Sequence, residues 1–462
     1  MKAARILSGA AANRGAQAAG LLLPAARRQH SRGASGKVAG IWLVLAVLKR
    51  GCGGEAGKNR PLHRRLAARS ARMFLAGRQK RQASGLCSPL RALCALVLAT
   101  APTNAEWPMH RGNPQLQGIA ESAAPAKAEL AWTFNAGKPV KAAAAIAQGR
   151  VFFGDDDGVI HALELATGKE AWTFKTESSI EAAPLVLDGV VFLGSSDANV
   201  YALEAATGKL KWKYATGDKV LGGANYAKSP KGDATWLLVG SYDTNLHCID
   251  AATGKAVWTH TTDNYINGSP ALLPTGEVMF GGCDSFIHVL RLEDGAETRQ
   301  IDSDAYIASS VAVRDGMGYV GNYGNLVIAF DPKSGEIKWK YRDRNFPYFS
   351  SAAVTADRVI IGCRDKRLHC LDRATGKAVW TFQTRGQVES SPVVCGDAII
   401  VGSEDGRLYC VNLADGSERW AYEIGAAVTA SPAVSDGFIV VGAEDGNIYA
   451  FKSPTGTAAT KP

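Results

Sequence analysis

Three things are missing from most of this 462-residue chain. Beyond residue 105 no apolar run approaches the roughly 18 residues that a membrane-crossing helix needs, which excludes a multi-span membrane protein. No stretch of about ten residues carries a 3.6-residue apolar period, so a helical domain is excluded as well. Positive charge is also absent from the body. The +9 of the whole chain comes from residues 1–105, where 19 Lys and Arg face one acidic residue, Glu55, and the remaining 357 residues carry a net −9. A body of that sign disfavours nucleic acid and other polyanions as partners. With 46% hydrophobic residues, the chain is still apolar enough to build a large core.

The basic leader has two parts. From Met73 a basic stretch (Arg78, Lys80, Arg81, Arg91), an apolar run from Ala92 to Ala101 and the small residues ending in Thr103-Asn104-Ala105 have the layout of a secretory signal. Residues 73–105 are therefore expected to be cut after Ala105, leaving Glu106 first in a periplasmic or secreted chain. Cys94 stands at the start of the apolar run with no lipobox at its end, which argues against lipid anchoring. Residues 1–72 are rich in Arg, Ala and Gly and read as an over-extended start or a disordered basic extension. Their apolar run, Val38 to Leu48, is too short for a span.

What fills the body is a repeat. Glycine recurs at Gly154, Gly194, Gly240, Gly281, Gly321, Gly362, Gly402 and Gly442, and a second glycine follows each by 14 residues, from Gly168 to Gly456. Four residues further on stands Trp172, Trp212, Trp258, Trp339, Trp380 or Trp420, with Arg299 as the exception. Between the glycines run short alternating segments such as Val159 to Leu163 and Asn447 to Phe451, the pattern of half-buried strands joined by tight hairpins at Asp-Gly and Thr-Gly. Each unit reads as four strands, in the second unit Ala182 to Leu187, Val190 to Gly194, Asn199 to Leu203 and Lys211 to Tyr214. Eight such units define an all-β, eight-bladed β-propeller of four-stranded antiparallel blades over residues 129–462, preceded by an N-terminal arm, 106–128. The eighth unit runs out where its outer strand should follow, and Trp132 stands one step before Trp172 with no unit of its own. Glu129 to Phe134 is therefore expected to close the ring as the last blade's outer strand, removing an exposed edge.

The repeated Ala-Leu-Glu/Asp-x-x-Thr-Gly-Lys-x-x-Trp, with Trp107-Pro108-Met109-His110-Arg111-Gly112-Asn113-Pro114 near the expected mature start, resembles the PQQ-like β-propeller repeat family over roughly residues 107–456. That family includes quinoprotein alcohol dehydrogenases and BamB-like scaffolds of outer-membrane assembly. The resemblance implies that the outer-strand Trp packs between neighbouring blades. It also implies what a dehydrogenase would need: an adjacent Cys pair, a Ca²⁺ set of Glu, Asn and Asp, and long inter-blade loops. The chain has no Cys-Cys dipeptide, no Cys-x-x-Cys-His and no room for such insertions. We therefore expect a non-catalytic scaffold or binding protein with an envelope protein as partner, with no cofactor and no metal. The alternatives are a dehydrogenase or small-ligand binder using PQQ with Ca²⁺ at the channel mouth, and a carbohydrate binder.

Repetition also assigns structural roles. Asp157, Asp197, Asp243, Asp284, Asp365, Asp405 and Asp445 share one turn position, where Asp caps its own backbone. His161, His247, His288 and His369 share a strand position with Tyr201, Tyr409 and Tyr449, which predicts packing rather than ligation. Cys248, Cys370 and Cys410 occupy a small-residue core slot. Cys283, Cys363 and Cys395 show no disulfide or metal spacing, and their pairing stays open.

Function is sought where the repeat varies. Counting 27 residues past each unit glycine, and one step back for the first blade, selects Lys141, Glu181, Leu221, Asn267, Ala308, Tyr348, Glu389 and Thr429 as a ring around one mouth of the channel. Two positions earlier the same count gives Lys219, Tyr265, Tyr306, Phe346 and Gln387. The binding-surface candidates are Lys141, Glu181, Asn267, Tyr348, Glu389, Thr429, Tyr265, Tyr306 and Phe346, the polar ones suited to a small ligand and the aromatic ones either to roofing the tunnel by packing on one another or to a partner protein.

Overall fold

The computed structural model describes residues 106–127 and 129–453. The expected secretory signal and the extension before it lie outside the described residues. The chain forms eight antiparallel blades, each with four strands from its own unit or, in the last case, from both chain ends. The second blade consists of Leu185–Leu187, Val190–Gly194, Asn199–Glu204 and Leu210–Ala215, the strands expected from its alternation. Its first hairpin turns at Asp188 and Gly189, both at positive φ (49° and 75°), the paired left-handed geometry that a two-residue hairpin requires. Among the described residues no helix is long and apolar enough to cross a membrane.

The ring closes as expected. Glu129–Asn135 pairs antiparallel with Asn447–Lys452, Trp132 opposite Ala450, and becomes the outer strand of blade 8. The innermost strands of blades 8 and 1, Ala433–Ser435 and Ala145–Ala147, lie side by side.

The two glycine rows have a common cause, the close approach of the neighbouring blade. A Cβ on Gly154 would lie 2.1 Å from Ile180 of the next blade, and one on Gly442 would lie 2.4 Å from Val140, so the row runs unbroken through the closure. A Cβ on Gly168 would lie 2.6 Å from the Trp132 ring. Six of the seven outer Trp residues also donate their indole N–H to a backbone carbonyl of the next blade's turn, for example Trp132 to Leu165 (2.8 Å) and Trp172 to Ala205 (2.9 Å), and Trp420 donates to Pro125 of the arm (3.1 Å). Arg299 stands in for Trp by donating to Pro332 (3.3 Å).

The arm does something its spacing did not announce: it floors the ring. Trp107 bridges to Ile146 of blade 1, and carbonyls along the arm accept backbone N–H groups from blades 2, 4, 5, 6 and 7: Pro108 from Val186, Pro114 from Leu272, Gln115 from Val313, Gln117 from Val354 and Gly118 from Val394. Ile119–Ala120 then adds a parallel strand to blade 7. Trp107, Met109, Arg111 and Leu116 are all buried. Gly118 is required here, because at φ 66° a Cβ would sit 1.9 Å from the Arg111 guanidinium.

Candidate functional site at the channel mouth

Above the arm, the inner strands enclose a cavity of about 170 Å³. Lys141, Glu181, Leu221, Asn267, Ala308 and Thr429 line it, as the count of 27 predicts. Blade 6 departs from that count. Tyr348 is only 2% exposed and packs edge-on against His369, ring centroids 5.6 Å apart, while Phe349 takes the lining position. The reason is one extra residue between Trp339 and Phe349, ten positions apart where other blades have nine, as from Trp172 to Glu181. The shift puts Tyr348 in the apolar slot held elsewhere by Val140, Ile180, Val220, Ile266, Ile307, Val388 and Val428. Glu389 holds its ring position but is turned to Arg364.

A backbone pattern defines a second ring on the same face. The residue two past each unit glycine donates its N–H to the carbonyl two before the lining position: Asp156 to Pro139, Tyr242 to Lys219, Cys283 to Tyr265, Tyr323 to Tyr306, Arg364 to Pro347 and Glu444 to Ala427. Phe346 therefore lies one residue outside the register of Tyr265 and Tyr306. The count also overlooked Tyr242 and Tyr323 of this second ring, although a repeat search on the position after each Gly-x pair would have found them.

The face is divided. On the side of blades 3 to 6, Tyr242 and Tyr265 stack (4.7 Å, 6°) with the Lys219 ammonium 5.2 Å above Tyr242. Tyr306 meets Tyr323 (4.8 Å), Tyr323 meets Phe349 (5.6 Å), and the Arg364 guanidinium lies 3.7 Å over Phe349. The rings roof one another yet remain open: Tyr265, Tyr306 and Tyr323 are each 45% exposed and Phe346 44%. On the opposite side the charges are neighbours. Lys141 pairs with Asp156 (2.6 Å), and that hydrogen bond raises its pKa. Thr429 donates to Glu444 (3.2 Å). The Glu404 carboxyl is pushed above its ordinary range, mainly by burial and then by Glu389 and Glu444.

Five inner-strand positions carry serine (Ser269, Ser310, Ser351, Ser391 and Ser431), linked in a staircase in which each backbone N–H donates to the next hydroxyl at 2.9–3.0 Å. The other three hold Ala143, Ala183 and Gly223, and at Gly223 a Cβ would lie 3.3 Å from His110 of the arm. Small residues there make room for the His110 side chain. Burial, then the charge of Arg111, hold its imidazole down to about 3.

Asp197, Asp243, Asp284, Asp405 and Asp445 accept the backbone N–H two residues on, as expected, whereas in blade 1 that cap comes from Asp155 instead of Asp157, and Asp365 is turned to His369. Most of these carboxylates also serve the shared strand position. Asp197 accepts from Tyr201 (2.7 Å), Asp405 from Tyr409 (2.8 Å), and Asp243 and Asp365 pair with His247 (3.0 Å) and His369 (3.2 Å). In blade 1 Asp155, not Asp157, meets His161 (3.1 Å). Cys248, Cys283, Cys363, Cys370, Cys395 and Cys410 are all free thiols, and burial pushes those of Cys363, Cys370 and Cys410 up to about 12.

These features place the chain among repeat propellers with a plugged, partly aromatic mouth. It belongs to the PQQ-like β-propeller family whose model is described as outer membrane protein assembly factor BamB, matched over residues 117–231 and 226–457. No curated protein matches it in sequence. Among solved structures it is similar to BamB from Moraxella catarrhalis (21% identity, TM-score 0.59, 72% of this chain and 100% of that one). It is also similar to the quinohemoprotein alcohol dehydrogenase from Comamonas testosteroni (14%, 0.66, 78% and 82%) and to the computationally designed protein Ika8 (16%, 0.62, 71% and 100%). The mouth residues do not fit PQQ, a planar tricarboxylate. The lining's one Lys is already paired with Asp156, Asn267 donates its amide to Cys283 (2.9 Å), and Glu181 adds negative charge.

Proposed function

We propose that this propeller is an exported, non-catalytic scaffold that docks a cell-envelope protein through the aromatic half of its mouth face. The observation that carries the reading is the set of aromatic side chains on consecutive blades, each nearly half exposed, on the one face where the repeat does not dictate the residue. Exposed aromatic clusters of this kind are enriched at interface hot spots. The family model's description as an assembly factor supports the same direction. Capture of envelope proteins by the wild type and by the Tyr265→Ala, Tyr306→Ala, Phe346→Ala triple variant tests it. Loss of capture with an unchanged unfolding midpoint supports docking, whereas parallel loss of both assigns the rings to the fold. Dye reduction by an alcohol after addition of PQQ and Ca²⁺ would favour the dehydrogenase alternative instead.

A further inference from the structure

One inter-blade junction breaks the frame in a way that assembles metal ligands. At the position two past the outer Trp, most blades place an aromatic ring edge-on or tilted against the shared His or Tyr of the next blade: Phe134 on His161 (5.5 Å), Phe174 on Tyr201 (5.7 Å), Tyr214 on His247 (5.5 Å) and Phe382 on Tyr409 (5.3 Å). Between blades 3 and 4 that residue is His260, its ring 6.0 Å from His288. Glu297 completes the group, with Oε1 2.6 Å from His288 Nδ1 and 3.9 Å from His260 Nε2. One donor atom from each of the three lies within 4.8 Å of the others.

We propose that His260, His288 and Glu297 form a binding site for a divalent first-row transition ion of the zinc type, joining blade 3 to blade 4. Two imidazoles and a carboxylate are the donor set such ions take when three protein ligands leave a further position for water. The second shell is in place, since Asp284 Oδ2 lies 2.9 Å from His288 Nε2, the carboxylate–histidine arrangement that fixes which ring nitrogen faces the ion. Access is open on one side, His288 being buried while Glu297 is exposed. The site departs from the sequence expectation that no metal binds and that His288 serves only packing. The molecule contains its own control: blade 1 has the same pair, His161 with Glu170 (3.4 Å), but Phe134 faces it and supplies no donor.

The test is calorimetric titration of the full chain with Zn²⁺ after chelator treatment, comparing wild type, His260→Phe and Glu297→Gln, with Co²⁺ absorption as a second readout. His260→Phe gives this junction the partner that blade 1 uses and is expected to fold. Should it not, Glu297→Gln carries the comparison. The wild type is expected to bind one more zinc than either variant, or to bind at this site at least tenfold more tightly. It is also expected to gain roughly 4 °C in unfolding midpoint at a hundredfold excess over Kd. Equal stoichiometry, affinity and midpoint shift in all three proteins would overturn the site, because zinc would then be held elsewhere or not at all.

Discussion

The circumference and the mouth of this ring obey opposite rules. Around the circumference seven of eight blades present Trp at one position, each bonded to a backbone carbonyl beyond it, and the eighth substitutes an Arg that makes the same bond. At the mouth the equivalent positions hold Lys141, Glu181, Leu221, Asn267, Ala308, Phe349, Glu389 and Thr429, and no two neighbours match. A residue demanded by the blade recurs in every blade, so a position free to differ is where selection for binding can act. The mouth is itself split, with exposed rings over blades 3 to 6 and paired charges over the rest.

The largest effect is expected on the circumference. Trp132→Ala removes the ring that seats against Gly168 and should lower unfolding free energy by about 3 kcal/mol in urea titration. A loss below about 1 kcal/mol would mean that the closing strand is not held by its Trp.

The mouth should respond in the opposite sense. The Tyr265, Tyr306 and Phe346 triple alanine variant should weaken partner binding at least tenfold, about 1.4 kcal/mol, with its midpoint nearly unchanged.

Between the two regions lies His110 in the floor. Its folded pKa, about 3, is below the 6.5 of the unfolded state, so protons bind the unfolded chain first as pH falls. Its contribution to stability is intact above pH 6.5 and declines below it by about 1 kcal/mol per pH unit. His110→Gln should flatten the stability curve between pH 6.5 and 4.5, and a parallel curve would contradict the assignment.

The smallest effect belongs to the charged half. Lys141→Met breaks a part-exposed ion pair with Asp156 and should change stability by less than about 0.5 kcal/mol.

The repeat made the blades readable because each of its residues answers a local demand that recurs: a glycine where Ile180 or Val220 presses in, a Trp where a turn carbonyl waits. It exposed the closure too, through a Trp without a unit. Tyr348 was misplaced because a count assumes constant spacing, and a single inserted residue after Trp339 moved a polar aromatic into an apolar slot. The floor was not legible because the arm has no period, and its pairing with inner strands of six blades is a long-range property of the closed ring. Its one local sign was the presence of Trp107, Met109 and Leu116 in a segment with no strand alternation to bury them. His260 could have been noticed as one of two departures, with Ile301, from an aromatic column, but its partners come from the next blade.

Photo-crosslinking in living cells sets the two regions directly against each other. A photoreactive residue at Tyr306 is predicted to give a discrete adduct with an envelope protein, and one at Lys213, exposed on an outer strand, is predicted to give none. An adduct at Lys213 without one at Tyr306 would contradict the assignment of docking to the mouth.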